Sequence, residues 1–171
     1  MLNVKVLNPF LDAANEVLAA EAHVHVNRGG LSLQKSAMTT DDVTVLLNMV
    51  GEVQGVVLYS LSMQTGKALA AAMMGQEFET FDSLAQSGIA ELGNVITGRA
   101  SIKLAEAGFQ ADISPPTLIQ GKAVTISTLD FSRLVVPLTT DLGELTVHLA
   151  LREHANDAAE PVVRLAVNAA P

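Results

Sequence analysis

Apolar and polar positions along this chain repeat with two periods, 3.6 and 2, and the switches between them predict its elements. Phe10, Ala14, Val17 and Leu18 recur at helical spacing and predict a first helix running to about Ala22. Asn8-Pro9 is read as its start, with Asn8 capping and Pro9 in the first turn, where a missing N–H costs nothing. His23-Val24-His25-Val26 alternates like a short strand, Asn27-Arg28-Gly29-Gly30 marks a turn, and 31–40 fits neither period. Two β-rich runs, 43–50 and 53–61, are joined by Gly51-Glu52, short enough for a hairpin with Gly51 at positive φ. Residues 64–74 read as a helix with Leu69, Met73 and Met74 on one side, stopped by Gly75. The longest helix is expected over 82–107, capped by Asp82 or Ser83 and ended by Gly108. It carries Gly88, Gly93 and Gly98 in its interior. Each costs about 1 kcal/mol relative to alanine there, so close packing or a partner's approach has to justify it.

The stretch 121–151 predicts three strands. Residues 123–129 alternate; 134–139 are β-rich, with Pro137 suited to an edge or a bulge; Asp141-Leu142-Gly143 turns the chain. In the last strand Leu145, Val147, Leu149 and Leu151 share one face, and Thr146, His148 and Arg152 the other. A helix followed by paired strands occurs twice, from Pro9 and again from Asp82, which suggests a duplicated α–β unit. Strands in hairpins with intervening helices predict an α+β fold, an antiparallel sheet backed by helices. We expect one domain over 1–153 and a mobile tail over 154–171.

Composition narrows the function classes. The 171 residues are 49% apolar, enough for a sizeable core. Ten Lys and Arg against eighteen Asp and Glu give a net charge of −8, which disfavours nucleic acid and anionic membranes. Without cysteine there are no disulfides, thiolate zinc sites or Fe–S clusters, and 4% aromatics offer no stacking platform. No run of 18 apolar residues occurs and no leader is recognisable, so a cytoplasmic protein is the expectation.

Familiar catalytic patterns are missing. No GxGxxG follows a strand, Gly66-Lys67 lacks the glycine of a P-loop, and there is no GxSxG elbow. His23 and His25, if on one strand, share a face and could bind a metal with His148 or His154, but solvent-facing histidines are the simpler reading. The unusual feature lies on the long helix. At 100° per residue, Ser87, Glu91, Asn94 and Gly98 fall within about 60° of one another. Leu84, Leu92, Val95 and Ile96 lie to one side as the expected core face. A carboxylate and a carboxamide thus stand one turn apart, between small neighbours that leave room for another molecule. A solvated polar stripe would look the same.

Ser87-x3-Glu91-x2-Asn94 resembles the [DS]-x3-E-x2-N signature of the CheC/CheX/FliY phosphatases of bacterial chemotaxis. Ala90-Glu91-Leu92-Gly93-Asn94-Val95-Ile96-Thr97-Gly98 is similar to the family's central segment. Pro115-Pro116, the following Leu118-Ile119-Gln120-Gly121 and the opening Asn8-Pro9-Phe10 are also family-like. Asp12-x2-Asn15 on the first helix resembles a decayed second site, with Asp for Glu and Asn8 where Ser or Asp belongs. A single intact site is the CheX-like pattern. The resemblance implies that the substrate is a CheY-type response regulator phosphorylated on aspartate. Asn94 would orient the attacking water, Glu91 would pair with the regulator's lysine, and Ser87 and Gly98 would lie at the contact. The regulator would bring Mg²⁺, and this chain would need no metal or cofactor of its own. CheX-type proteins also pair into homodimers through their sheets, for which a strand such as 144–151 is a candidate. Two alternatives are a non-catalytic docking module of the same fold, on a regulator or a flagellar switch component, and a purely structural oligomer.

Overall fold

The computed structural model describes residues 4–35, 37–128, 131–154 and 164–166. In chain order the elements are α1 (Val4–Ala22), β1 (Val26–Arg28), β2 (Ser32–Gln34), β3 (Met38–Thr39), β4 (Val43–Gly51), β5 (Val53–Leu61), α2 (Met63–Met74), α3 (Ser83–Glu106), β6 (Ala111–Ile113), β7 (Thr117–Gln120), β8 (Thr125–Ser127), β9 (Arg133–Thr140), β10 (Gly143–Glu153) and β11 (Arg164–Ala166). The main sheet runs β1/β2–β9–β10–β5–β4–β6/β7, antiparallel throughout, and β3, β8 and β11 form a second small sheet. The α+β class and the helix-backed antiparallel sheet are as expected.

The duplication is real and lies in the topology. A helix, two short strands, a third short strand and a long hairpin occur first as α1 through β5 and again as α3 through β10. The central strands β5 and β10 pair across the middle, and the short strands of each half close the outer edge of the other half's hairpin. Neither half completes its own sheet, so the two fold as one unit. β10 is paired on both sides and offers no edge for a second chain, contrary to the expectation for 144–151.

Local chemistry explains most elements. Gly51 turns the β4–β5 hairpin at φ 139°, and Gly75 ends α2 in the left-handed region, its N–H bonded to the Ala71 carbonyl. Ser62 caps α2 by accepting from Thr65 N. On the helix side of the sheet Val45, Leu47, Tyr59, Val147 and Leu149 are buried against α1 and α3. On the other side Leu46, Val56 and Leu58 form a smaller core with Met38 and Ile126. Burial on both faces explains why β5 reads as a nearly continuous apolar run.

Several boundaries differ from the sequence expectation. α1 begins at Val4, so Asn8 and Pro9 lie inside it rather than at its start. Pro9 has no N–H for the carbonyl four residues back, but the added turn buries Val6 and Leu7, which outweighs that loss. His23 adopts φ 56° directly after α1, so the alternation over 23–26 is not a strand; pairing starts only at Val26 and takes in Asn27 and Arg28. Ala123, at φ 64°, is likewise a turn residue, and among the described residues of the strand read over 123–129 only β8 forms. Pro137 sits on an internal strand, opposite the break between β1 and β2. There its carbonyl accepts from Gly29 N at 2.8 Å and no ladder donor is needed. Among the described residues no helix is long and apolar enough to cross a membrane.

Candidate functional site

The site is built on α3. Asp82 caps it, its Oδ1 accepting from Leu84 N at 3.1 Å and Ala85 N at 2.9 Å. Two of its glycines bring the helix close to its neighbours. A Cβ on Gly93 would stand 2.8 Å from Val45 Cγ1 and 3.2 Å from Tyr59 Cδ2, so α3 lies almost directly on β4 and β5. A Cβ on Gly88 would run into the end of the Met74 side chain on α2. Gly98 differs: its nearest neighbour would be Ile113 Cδ1 at an ordinary 3.8 Å, so no close packing requires glycine there.

Rotation of α3 about its axis is held from both sides. Thr97 Oγ1 donates to the Gly93 carbonyl at 2.8 Å, and the Tyr59 hydroxyl, 2.9 Å from Thr97 Oγ1, is left to donate to it. Burial pushes the Tyr59 hydroxyl well above its usual pKa, so it stays a proton donor. On the α1 side Glu16 accepts from Arg99 Nε at 3.0 Å and Lys103 Nζ at 2.6 Å. These bonds hold the Glu16 carboxyl below its ordinary pKa, Lys103 being the stronger cause.

With those contacts inward, Ser87, Glu91, Asn94 and Gly98 face away from the sheet. The buried residues Ile89, Leu92, Ile96, Ala100 and Leu104 centre about 180° from them on the helical wheel. Glu91 is exposed and Asn94 half-buried. Asn94 Nδ2 reaches Glu91 Oε2 at 3.4 Å, a long and weak bond. Among the described residues neither side chain makes another hydrogen bond, so both are available to a partner. Ser87 donates its hydroxyl proton to the Ser83 carbonyl at 2.9 Å and keeps its lone pairs outward. All four expected site residues therefore share one outward face. Leu84, expected in the core with Leu92 and Ile96, is instead 49% exposed, because it falls about 20° from Glu91 around α3, on the outward side, while Ala85 beside it is buried.

The remaining candidates are scattered. Asp12 and Asn15 are exposed on α1, the topological counterpart of α3, beside a groove lined by Leu11, Val26, Arg28 and Leu138. His23 and His25 are exposed after α1, and His154 Nδ1 lies 2.8 Å from Gln54 Nε2. His148 is not solvent-facing: it is buried on the outer face between Val135 and Leu58, with no hydrogen-bond partner at either ring nitrogen among the described residues. Among the described residues no three His, Asp or Glu side chains converge as a metal cage. The Tyr59–Thr97 pair was missed in the sequence. Its only signal was that the chain's single tyrosine falls in a mostly apolar strand.

The family model for the chemotaxis phosphatase CheX matches residues 43–139. The chain belongs to the CheX family. The matched stretch includes all of α3 with Glu91 and Asn94, and leaves out α1 with Asp12 and Asn15. A CheY-P phosphatase CheX from Thermotoga maritima is 27% identical over 128 residues, 74% of this chain and 83% of that protein. Among solved structures, a CheC-like superfamily protein from Shewanella sp. PV-4 superposes with a TM-score of 0.81 at 27% identity, covering 88% of this chain and 99% of that one. The CheX–CheY–BeF3–Mg²⁺ complex from Borrelia burgdorferi contains a chain with a TM-score of 0.68 at 26% identity, covering 86% and 97%. In this CheX-family chain α3 carries Ser87, Glu91 and Asn94, and the same spacing on α1 carries Asn8, Asp12 and Asn15.

Proposed function

We propose that this CheX-family chain hydrolyses the aspartyl phosphate of a CheY-type response regulator. The observation that carries the reading is the pairing of exposed Glu91 with half-buried Asn94 on the outward face of α3, whose other side packs closely at Gly93. Asn94 is neutral and both donates and accepts hydrogen bonds, so it can aim a water without ionising. The water attacks phosphorus in line, the bond from phosphorus to the aspartyl oxygen breaks, and the aspartate leaves as a carboxylate. Both protons of the water stay with the phosphate. Glu91 offers a carboxylate to the regulator's lysine and sets the depth of Asn94, so that catalysis rests on placement. Ser87 and Gly98 keep the rim of the contact small. The divalent cation belongs to the regulator. We place the reaction in the cytoplasm, where such a regulator is expected.

The test is phosphate release from phosphorylated CheY-type regulators of the same genome, with Mg²⁺. Asn94→Ala is expected to lose the acceleration and keep binding, and Glu91→Ala to bind several-fold more weakly. Binding without acceleration by the wild type would make the chain a docking module instead. Wild-type rates in Asn94→Ala would refute the assigned role.

A further inference from the structure

The face that carries Glu91 and Asn94 does not end with them. Leu84 lies one turn before Ser87, and Ile102 one turn beyond Gly98. Eighteen residues apart, the two fall at the same angle around α3, about 20° from Glu91. Leu84 is 49% exposed and Ile102 55%, among few large apolar side chains left open to solvent in the described structure. Half-exposed Met74 of α2, whose tip lies against Gly88, extends the apolar end beside Leu84. The stripe thus reads apolar, polar, apolar, with the reactive pair in the middle. Its one charge is Glu91, since Arg99 and Lys103 turn toward α1 and are tied to Glu16.

We infer that Leu84 and Ile102 are anchors that hold the regulator's receiver domain across the length of α3 and determine affinity for it. The inference rests on the reading of Glu91 and Asn94 given above. An exposed ion pair multiplies an association constant by only about two to five, too little for the central pair to hold a protein partner alone. Apolar side chains desolvated on binding are the usual source of the rest. The dimensions agree. Leu84 and Ile102 are about 27 Å apart along the helix at 1.5 Å per residue. A domain of about 100 residues, with a radius of gyration of about 13 Å, is about 34 Å across, so one receiver domain can touch both ends. A single anionic group at the centre also matches a partner that presents a lysine there.

The experiment uses Leu84→Gln, Ile102→Gln and their double variant. Glutamine is a good helix former and both sites are exposed, so folding is retained. Affinity for a beryllofluoride-loaded CheY-type regulator is measured alongside phosphate release over a range of regulator concentrations. Each single variant is expected to raise Kd and KM about tenfold with kcat unchanged, and the double about a hundredfold. Leu84→Met and Ile102→Val should restore both constants to within about threefold. Leu33→Gln, at a 57% exposed apolar site on β2 away from α3, should change neither. Wild-type Kd in the double variant, while Asn94→Ala still abolishes hydrolysis, overturns the anchors and leaves the phosphatase reading standing. An equal loss in Leu33→Gln overturns them too. If the wild type hydrolyses no regulator, the phosphatase reading falls and takes the anchors with it.

Discussion

Gly93 and Gly98 lie on one helix five residues apart and should respond to the same substitution in opposite ways. Glycine to alanine in a helix interior gains about 1 kcal/mol of helix propensity at either position. At Gly98 nothing opposes the gain, because the new methyl meets Ile113 Cδ1 at 3.8 Å, an ordinary contact. At Gly93 the methyl would stand 2.8 Å from Val45 Cγ1, 3.3 Å from Val45 Cβ and 3.2 Å from Tyr59 Cδ2. Carbon pairs settle at about 3.5 to 4.0 Å, so α3 or β4 must move by about 1 Å. Val45 and Tyr59 are fully buried, and a valine has no flexible end to swing aside. Overpacking of this kind costs about 1 to 3 kcal/mol, which leaves Gly93→Ala about 1 kcal/mol less stable than wild type. The propensity gain is common to both variants, so their difference, about 1 to 3 kcal/mol, reads the close approach alone. Urea unfolding followed by far-ultraviolet circular dichroism measures it, and the chain's single tyrosine, Tyr59, reports the α3–sheet contact by fluorescence. The expected separation in Tm is about 2 to 10 °C for a domain of this size. If the two variants shift together by the same amount, close packing is not what requires glycine at Gly93. Gly98→Ala has a second readout. It should be more stable and yet dock less well, because its methyl rises on the partner-facing side.

Tyr59→Phe removes the hydroxyl that donates to Thr97, and Thr97 keeps its bond to the Gly93 carbonyl. A loss of about 1 kcal/mol in urea unfolding is expected, and an unchanged midpoint would show that the pair contributes nothing. Asp82→Ala removes the cap on two backbone N–H groups and should cost about 1 kcal/mol by the same measurement, while Asp82→Asn should recover most of it. His148 is pulled from an ordinary 6.5 down to about 4, by burial first and by Arg133 second. The unfolded chain therefore binds a proton there before the folded one does. Stability from this group is full above pH 6.5, falls as the pH drops toward 4, and levels off below, a total of about 3 kcal/mol. His148→Leu should flatten that part of the stability–pH curve, and an unchanged slope would place the acid sensitivity elsewhere. Glu16 acts in the same sense at lower pH. Its depressed carboxyl pKa means that the tie between α1 and α3 is present above the ordinary carboxylate range and is lost as the pH falls below it.

The sequence by itself determined what neighbouring residues decide among themselves. The β4–β5 hairpin follows from Gly51-Glu52 between two β-rich runs, α2 ends at Gly75, and α3 begins behind Asp82, because turns and caps are settled within four residues of chain. The outward face shared by Ser87, Glu91, Asn94 and Gly98 was also legible, since helical geometry alone sets which residues align. Tertiary structure decided whatever depends on what packs across. Pro9 lies inside α1 because Val6 and Leu7 find a buried surface, and His23 ends in a left-handed turn although its neighbours alternate like a strand. Periodicity separates the faces of β10 but cannot say that both are covered. His148 lies on the outer face beside Leu58, which packs with Met38 and Ile126 of the second small sheet, so that face of the main sheet is not left to solvent. Leu84 is apolar and nevertheless exposed, because it lies on the side of α3 that carries Glu91 and the buried residues of that helix lie on the other. Helix and strand periods are local, whereas burial is a relation between distant segments, and only the folded chain brings those segments together.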